Sequence, residues 1–193
     1  MPHRLLSLLK RLRAQTYKLY LFLAMTIGYG IFNFGNHYVT KSLYFETGAH
    51  IIHVPSGVRM VIIMVSGAFG AAAISIASFP YAYWTLFNEN LPLSIIISIT
   101  SSLIPLMTLY VVRRLVHWQN DFSDLTLPKL LLISLTYAIT NATIQQLIYH
   151  SFDLAARPIN AWLIMFTGDI LGIVIVLYLL RLIGKALKAR RHN

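Results

Sequence analysis

The sequence predicts an all-α fold, a polytopic membrane helical bundle of about six spans in which one helix is short or broken. Three observations carry this expectation. Of the 193 residues, 57% are hydrophobic and only 11% charged, whereas about a quarter of a soluble domain is charged. Five long apolar segments, 17–39, 58–87, 91–112, 129–150 and 159–183, tile almost the whole length. At 1.5 Å per residue each is long enough for a hydrocarbon core about 30 Å thick. The basic residues gather near the two ends, Arg4, Lys10, Arg11, Arg13 and Lys18 at one and Arg181, Lys185, Lys188, Arg190 and Arg191 at the other. Cytoplasmic flanks of membrane spans carry such charge.

In chain order, residues 1–16 form an amphipathic basic segment. "HRLLSLLKRLRAQ" spaces Leu5, Leu8, Leu9 and Leu12 at helical intervals against Arg4, Lys10, Arg11 and Arg13, so it is expected to lie on the lipids of the inner leaflet. The apolar stretch from Tyr17 is too long for a signal peptide, and no small-residue cleavage pattern follows it. It is therefore a retained first span. Residues 17–183 make one membrane helical domain, and 184–193 a basic cytoplasmic tail.

Five crossings would place the two basic ends on opposite sides. The positive-inside rule asks for both in the cytoplasm, together with the loop that starts at Arg113 and Arg114. Splitting the 30-residue stretch 58–87 restores that rule. Ser66-Gly67-Ala68-Phe69-Gly70 offers the break, and Pro55 can open a helix just before it. The first piece, about 51–66, is only about 24 Å long, so it has to be shielded by its neighbours. The outer loops are then 40–50, 88–90 and 151–158.

Two ionisable residues sit well inside predicted spans: Arg59, and Asp169 in "MFTGDILGIVIV". They fall about eight and about ten residues from the outer ends of their helices. A charge in hydrocarbon costs several kcal/mol unless it is paired or hydrated, so the two are expected to meet. "ITNATIQQL" adds Asn141 and Gln145 on one helical face at similar depth. The expected cluster of Arg59, Asp169, Asn141 and Gln145 serves either as a structural clasp or as a pocket for a small polar or anionic ligand. Gly67, Gly70 and Gly168 would permit close backbone approach.

"ETGAHIIH" sets Glu46, His50 and His53 at i, i+4 and i+7. Helical spacing would align them as metal ligands, but Gly48 and Pro55 argue against a regular helix, so no metal is expected there. Tyr81, Tyr83, Trp84 and Trp162, with Trp118 on the other side, fit interfacial aromatic belts. The serines of "ISITSS", Ser98 to Ser102, suit helix packing better than nucleophilic catalysis, because no base lies at their depth. With no cysteine, thiolate chemistry and disulfides are absent. Neither basic end interleaves aromatics, which argues against nucleic-acid binding. No catalytic constellation and no cofactor motif emerges.

Two motifs resemble the bacterial membrane-associated sensor (MASE) domains, multi-span modules that precede diguanylate cyclases and histidine kinases. One is a proline-x-glycine start with a later glycine break, here Pro55, Gly57, Gly67 and Gly70. The other is a tryptophan followed by Gly-Asp-x-x-Gly, here Trp162, Gly168, Asp169 and Gly172. The similarity covers roughly residues 50–183. Arg59 departs from it, since the family more often has an apolar or small residue there. The resemblance implies a stand-alone sensor, because only about ten residues follow the last predicted span where such a sensor continues into its effector.

The expectation is thus a non-enzymatic sensor or adaptor of the bacterial inner membrane, with both termini cytoplasmic, acting through a partner membrane or cytoplasmic regulatory protein. Two alternatives stand beside it: a small-solute transport subunit, similar in architecture to the substrate-binding components of energy-coupling-factor transporters, and an assembly subunit of a larger membrane complex.

Overall fold

In a computed structural model the backbone is described for residues 2–117 and 126–190, and side chains for 13–117 and 126–184. The chain is almost wholly helical: α1 (Pro2–Val39), α2 (Val54–Tyr81), α3 (Leu91–Leu115), α4 (Leu127–Ser151) and α5 (Pro158–Arg190). Between α1 and α2 a 310 turn at Lys41–Leu43 leads into a two-stranded antiparallel hairpin, β1 (Tyr44–Glu46) and β2 (Ala49–His50). Residues 2–39 form one continuous helix, so the basic N-terminal segment runs straight into the first apolar stretch. Its amphipathic face, and Trp118, lie outside the described side chains.

Six separate crossings are not found. Among the described residues, four helical stretches are long and apolar enough to cross a membrane: Val54–Leu86, Leu91–Leu115, Leu127–Ser151 and Pro158–Gly184. The first apolar stretch falls outside this set, because Lys18, Asn33, Asn36 and His37 dilute it. The expected split of the second stretch takes the form of a sharp kink inside α2, which a π-helical turn, Ala82–Leu86, extends.

The kink lies at Gly67, whose φ of 57° and ψ of −135° are open only to glycine. A straight helix of 28 residues would separate its ends by about 42 Å. Here His53 and Arg59, at the start of α2, line the same cavity as Ser78 and Tyr81, at its end. The chain therefore doubles back at Gly67, and Gly70 sits close against the Ile62 carbonyl, eight residues earlier. At about 20 Å the first arm, 54–66, is too short to span the hydrocarbon alone.

α2 packs centrally against α1, α3 and α5. The bundle is apolar outside, and beside an apolar core around Ile63, Ile74 and Ile173 its interior holds many polar side chains. Tyr29, Asn33 and Asn36 on α1 and Thr40 just beyond it are buried, as are Ser94, Ser98, Ser101 and Thr108 on α3 and Asn141, Gln145 and Gln146 on α4. Ile27, Ile31, Ile76, Leu103, Leu147 and Val174 stand exposed. In water the exposed apolar surface would be costly, whereas in lipid it meets acyl chains. The chain is a helical membrane protein.

Candidate functional site

The site is assembled where α2 begins. Pro55 lies in the first turn of α2 and has no N–H to satisfy. Asn36 of α1 reaches across to cap that end, its Oδ1 accepting from the Val54 N–H at 3.1 Å. The same amide donates to Thr40 Oγ1 at 3.2 Å and to the Ile52 carbonyl at 3.5 Å.

α5 holds the other side through its Gly-Asp-x-x-Gly motif. The Gly168 carbonyl accepts from the His53 N–H at 3.2 Å. A Cβ on Gly168 would strike the His50 carbonyl, and one on Gly172 the His53 carbonyl. Gly57 faces Gly172 just as tightly. The two motifs therefore interlock, with the start of α2 lying against the backbone of α5. Ser56 Oγ is 2.6 Å from the His53 carbonyl and 3.0 Å from that of Asp169, with one proton for both.

Asp169 is fully enclosed. Its Oδ1 lies 3.1 Å from His53 Nδ1, and its Oδ2 accepts from Asn141 Nδ2 at 2.7 Å. The expected direct pair with Arg59 is not formed: among the described residues the side chains that meet the Asp169 carboxylate are His53 and Asn141. Arg59 is held by phenols instead. Its Nε and Nη2 donate to the Tyr29 hydroxyl oxygen at 3.0 and 2.8 Å, and its Nη1 donates to that of Tyr137 at 3.2 Å. Matching depth along two helices did not determine the angle at which each side chain leaves its axis.

Arg59, Asn141 and Gln145 nonetheless line one cavity together with His50, His53, Ser78 and Tyr81, and Asp169 backs it through His53 and Asn141. The cavity offers about 50 Å³ to the centres of water-sized molecules. Gln145 Nε2 reaches Thr100 Oγ1 at 3.4 Å, while Gln145 Oε1, Asn141 Oδ1 and Ser78 Oγ are buried without a partner.

Glu46, His50 and His53 do not converge. Glu46 Oε1 accepts from the Ala156 and Arg157 N–H groups at 2.6 and 3.3 Å and so ties the β-hairpin to the start of α5. His50 stacks on His53 with ring centroids 6.0 Å apart, and no group of metal-binding side chains occurs among the described residues. Burial first, then the neighbouring His53 and His37, pushes the pKa of His50 down to about 3, so its ring is neutral at ordinary pH. Thr40 Oγ1 lies 3.3 Å from its Nδ1.

Of the expected belt aromatics, Trp84 is exposed and Tyr83 stacks on Phe79. Tyr81 turns inward, buried, with its hydroxyl 3.3 Å from His37 Nδ1. Trp162 stacks on Phe166 and donates to Thr143 Oγ1 at 3.0 Å. Ser98 and Ser102 donate to carbonyls of their own helix, and Ser101 lines the cavity.

Sequence reasoning missed Tyr29, Tyr137, Asn36 and the role of His53. One signal was present for the first and third: Tyr29, Asn33, Asn36 and Thr40 recur at i, i+4, i+7 and i+11, a polar stripe down one face of α1.

Fold and site together define a membrane helical bundle with a sequestered, charged cavity between the arms of a doubled-back helix. No protein-family model matches the chain, and neither a curated protein nor a solved structure does.

Proposed function

We propose that this chain is a non-enzymatic membrane sensor or adaptor, of the kind the MASE resemblance implies, in a bacterial inner membrane with both termini cytoplasmic. The single observation that carries the reading is that both arms of α2 line the cavity holding Arg59. Whatever fills or protonates that cavity acts on the spacing of the two arms. Their junction lies next to the far end of α3, where Arg113 Nη2 donates to the Met64 carbonyl at 3.4 Å. An event in the cavity thereby biases the packing at the end of the bundle that carries Arg113, where a regulatory partner would bind.

The transport alternative is less well supported. Pockets for drug-sized or vitamin-sized molecules are typically about 300–1,000 Å³, far above the roughly 50 Å³ of the Arg59 cavity, and the roomier hollows beside Trp162 and Leu103, about 390 and 300 Å³, hold none of the polar cluster. An assembly subunit would need the polar cluster only as a clasp, but a clasp does not require a cavity beside a buried guanidinium.

Affinity purification of the tagged full chain from its native membrane, followed by mass spectrometry, tests this. Recovery of a kinase, cyclase or other regulator, in an amount that Asp169→Asn changes, supports the sensor reading. Recovery of a transporter regardless of the substitution removes it.

A further inference from the structure

We propose that the cavity binds a small monovalent oxyanion, of the size of formate or nitrate, with Arg59 as its anchor. This deepens the sensor reading and rests on its choice of the cavity as the sensing site.

Among the described residues Arg59 has no carboxylate in direct contact. The Arg59 guanidinium is buried, and its three hydrogen bonds all end on neutral phenol oxygens. Phenols orient a cation without cancelling it. The one buried carboxylate of the cluster, Asp169, has its oxygens engaged by His53 and Asn141. Asp169 therefore acts on Arg59 only from a distance, and an anion in direct contact with a buried guanidinium lowers the cost of burying it.

Proton counting gives the shape of the ligand. A guanidinium carries five N–H groups, one on Nε and two on each terminal nitrogen. Tyr29 takes the Nε proton and one from Nη2, and Tyr137 takes one from Nη1. One N–H remains on each terminal nitrogen, free to donate to the oxygens of an anion.

The cavity supplies the rest. Ser78 lines it and has a buried hydroxyl with no partner, a ready donor. Gln145 and Asn141 line it too and add polar side chains beside the guanidinium. About 50 Å³ for water-sized centres admits a few-atom ion and excludes larger anions. A cation is repelled by Arg59, and a neutral solute leaves the charge as it was.

The test is titration of 13C-formate onto the full chain in mild detergent, read as NMR line broadening, with nitrate as competitor and gluconate as the ionic-strength control. Expected is saturable broadening that nitrate reverses and gluconate does not. Arg59→Gln weakens it about a hundredfold, and Ser78→Ala, a substitution small enough to keep the fold, about fivefold. Absence of saturable broadening for folded wild type up to about 100 mM overturns the proposal. So does broadening that Ser78→Ala and nitrate leave unchanged. If formate fails to bind while partner recovery still responds to Asp169→Asn, the anion assignment falls and the sensor reading stands. If formate binds and partner recovery ignores both, the sensor reading falls and the binding site stands.

Discussion

The two ends of the bundle are built differently. Around the start of α2, Asn36, His53, Ser56, Asn141 and Asp169 join α1, α2, α4 and α5 by hydrogen bonds, and glycines let backbones touch. At the opposite end, residues 13–21 of α1 and 178–184 of α5 are exposed on every face for two helical turns. Both regions are helical, and the second is rich in large apolar side chains such as Tyr17, Leu19, Leu180 and Ile183. In lipid, however, an apolar side chain gains little by leaving acyl chains for another helix. What binds these helices together is polar contact and close backbone approach, and both are concentrated at one end.

That contrast can be broken most forcefully at Asp169. Asp169→Ala leaves His53 and Asn141 without their shared acceptor and is expected to cost about 4 kcal/mol, measured by reversible unfolding in mixed micelles. Next comes the glycine comparison. Gly172→Ala drives a methyl into the His53 carbonyl and should cost about 3 kcal/mol. Gly184→Ala has nothing within contact distance and should stay within about 0.5 kcal/mol; equal effects at the two sites would remove the distinction between the ends.

A smaller step separates two tyrosines. Tyr29→Phe deletes the oxygen that accepts two N–H groups from Arg59 and should cost about 2 kcal/mol. Tyr20→Phe, on an exposed face, should leave the unfolding midpoint within error. At neutral pH the smallest effect is that of His50, which appears only as a slope toward acid pH. The folded pKa of His50, about 3, lies below the unfolded value of about 6.5. Between them the unfolded chain binds more protons, so stability falls as pH drops below about 6.5 and goes on falling toward about 3. His50→Gln should flatten that part of the midpoint-against-pH curve, and an unchanged slope would show that His50 is not its source.

Arg59 and Asp169 were legible in the sequence because a charge inside an apolar run needs a reason. Gly67 was legible because glycine and serine interrupt an over-long helix, and the kink falls there. The partner assignments were not. Counting residues gives depth, but an arginine side chain reaches several ångströms and can select a phenol on another helix over a carboxylate at the same level. His53 looked like an ordinary loop histidine at the membrane boundary; only the close approach of Gly168 brings its ring over Asp169. The number of spans was misread because a doubled-back helix satisfies a charge count with an arm too short to cross.

The doubling at Gly67 has a bearing on how the chain is made. The arm carrying Arg59 cannot rest in a bilayer alone, being both short and charged. Synthesis from the N-terminus delivers Tyr29 thirty residues before Arg59, so a phenol is already waiting when the guanidinium arrives. Tyr137 follows 78 residues after Arg59, and Asp169, which anchors the start of the arm through His53, enters only with the last helix. Insertion therefore leaves the arm half-secured until α5 is in place, and a nascent chain halted before Asp169 holds its cation between both phenols while the start of the arm still lacks its anchor at His53.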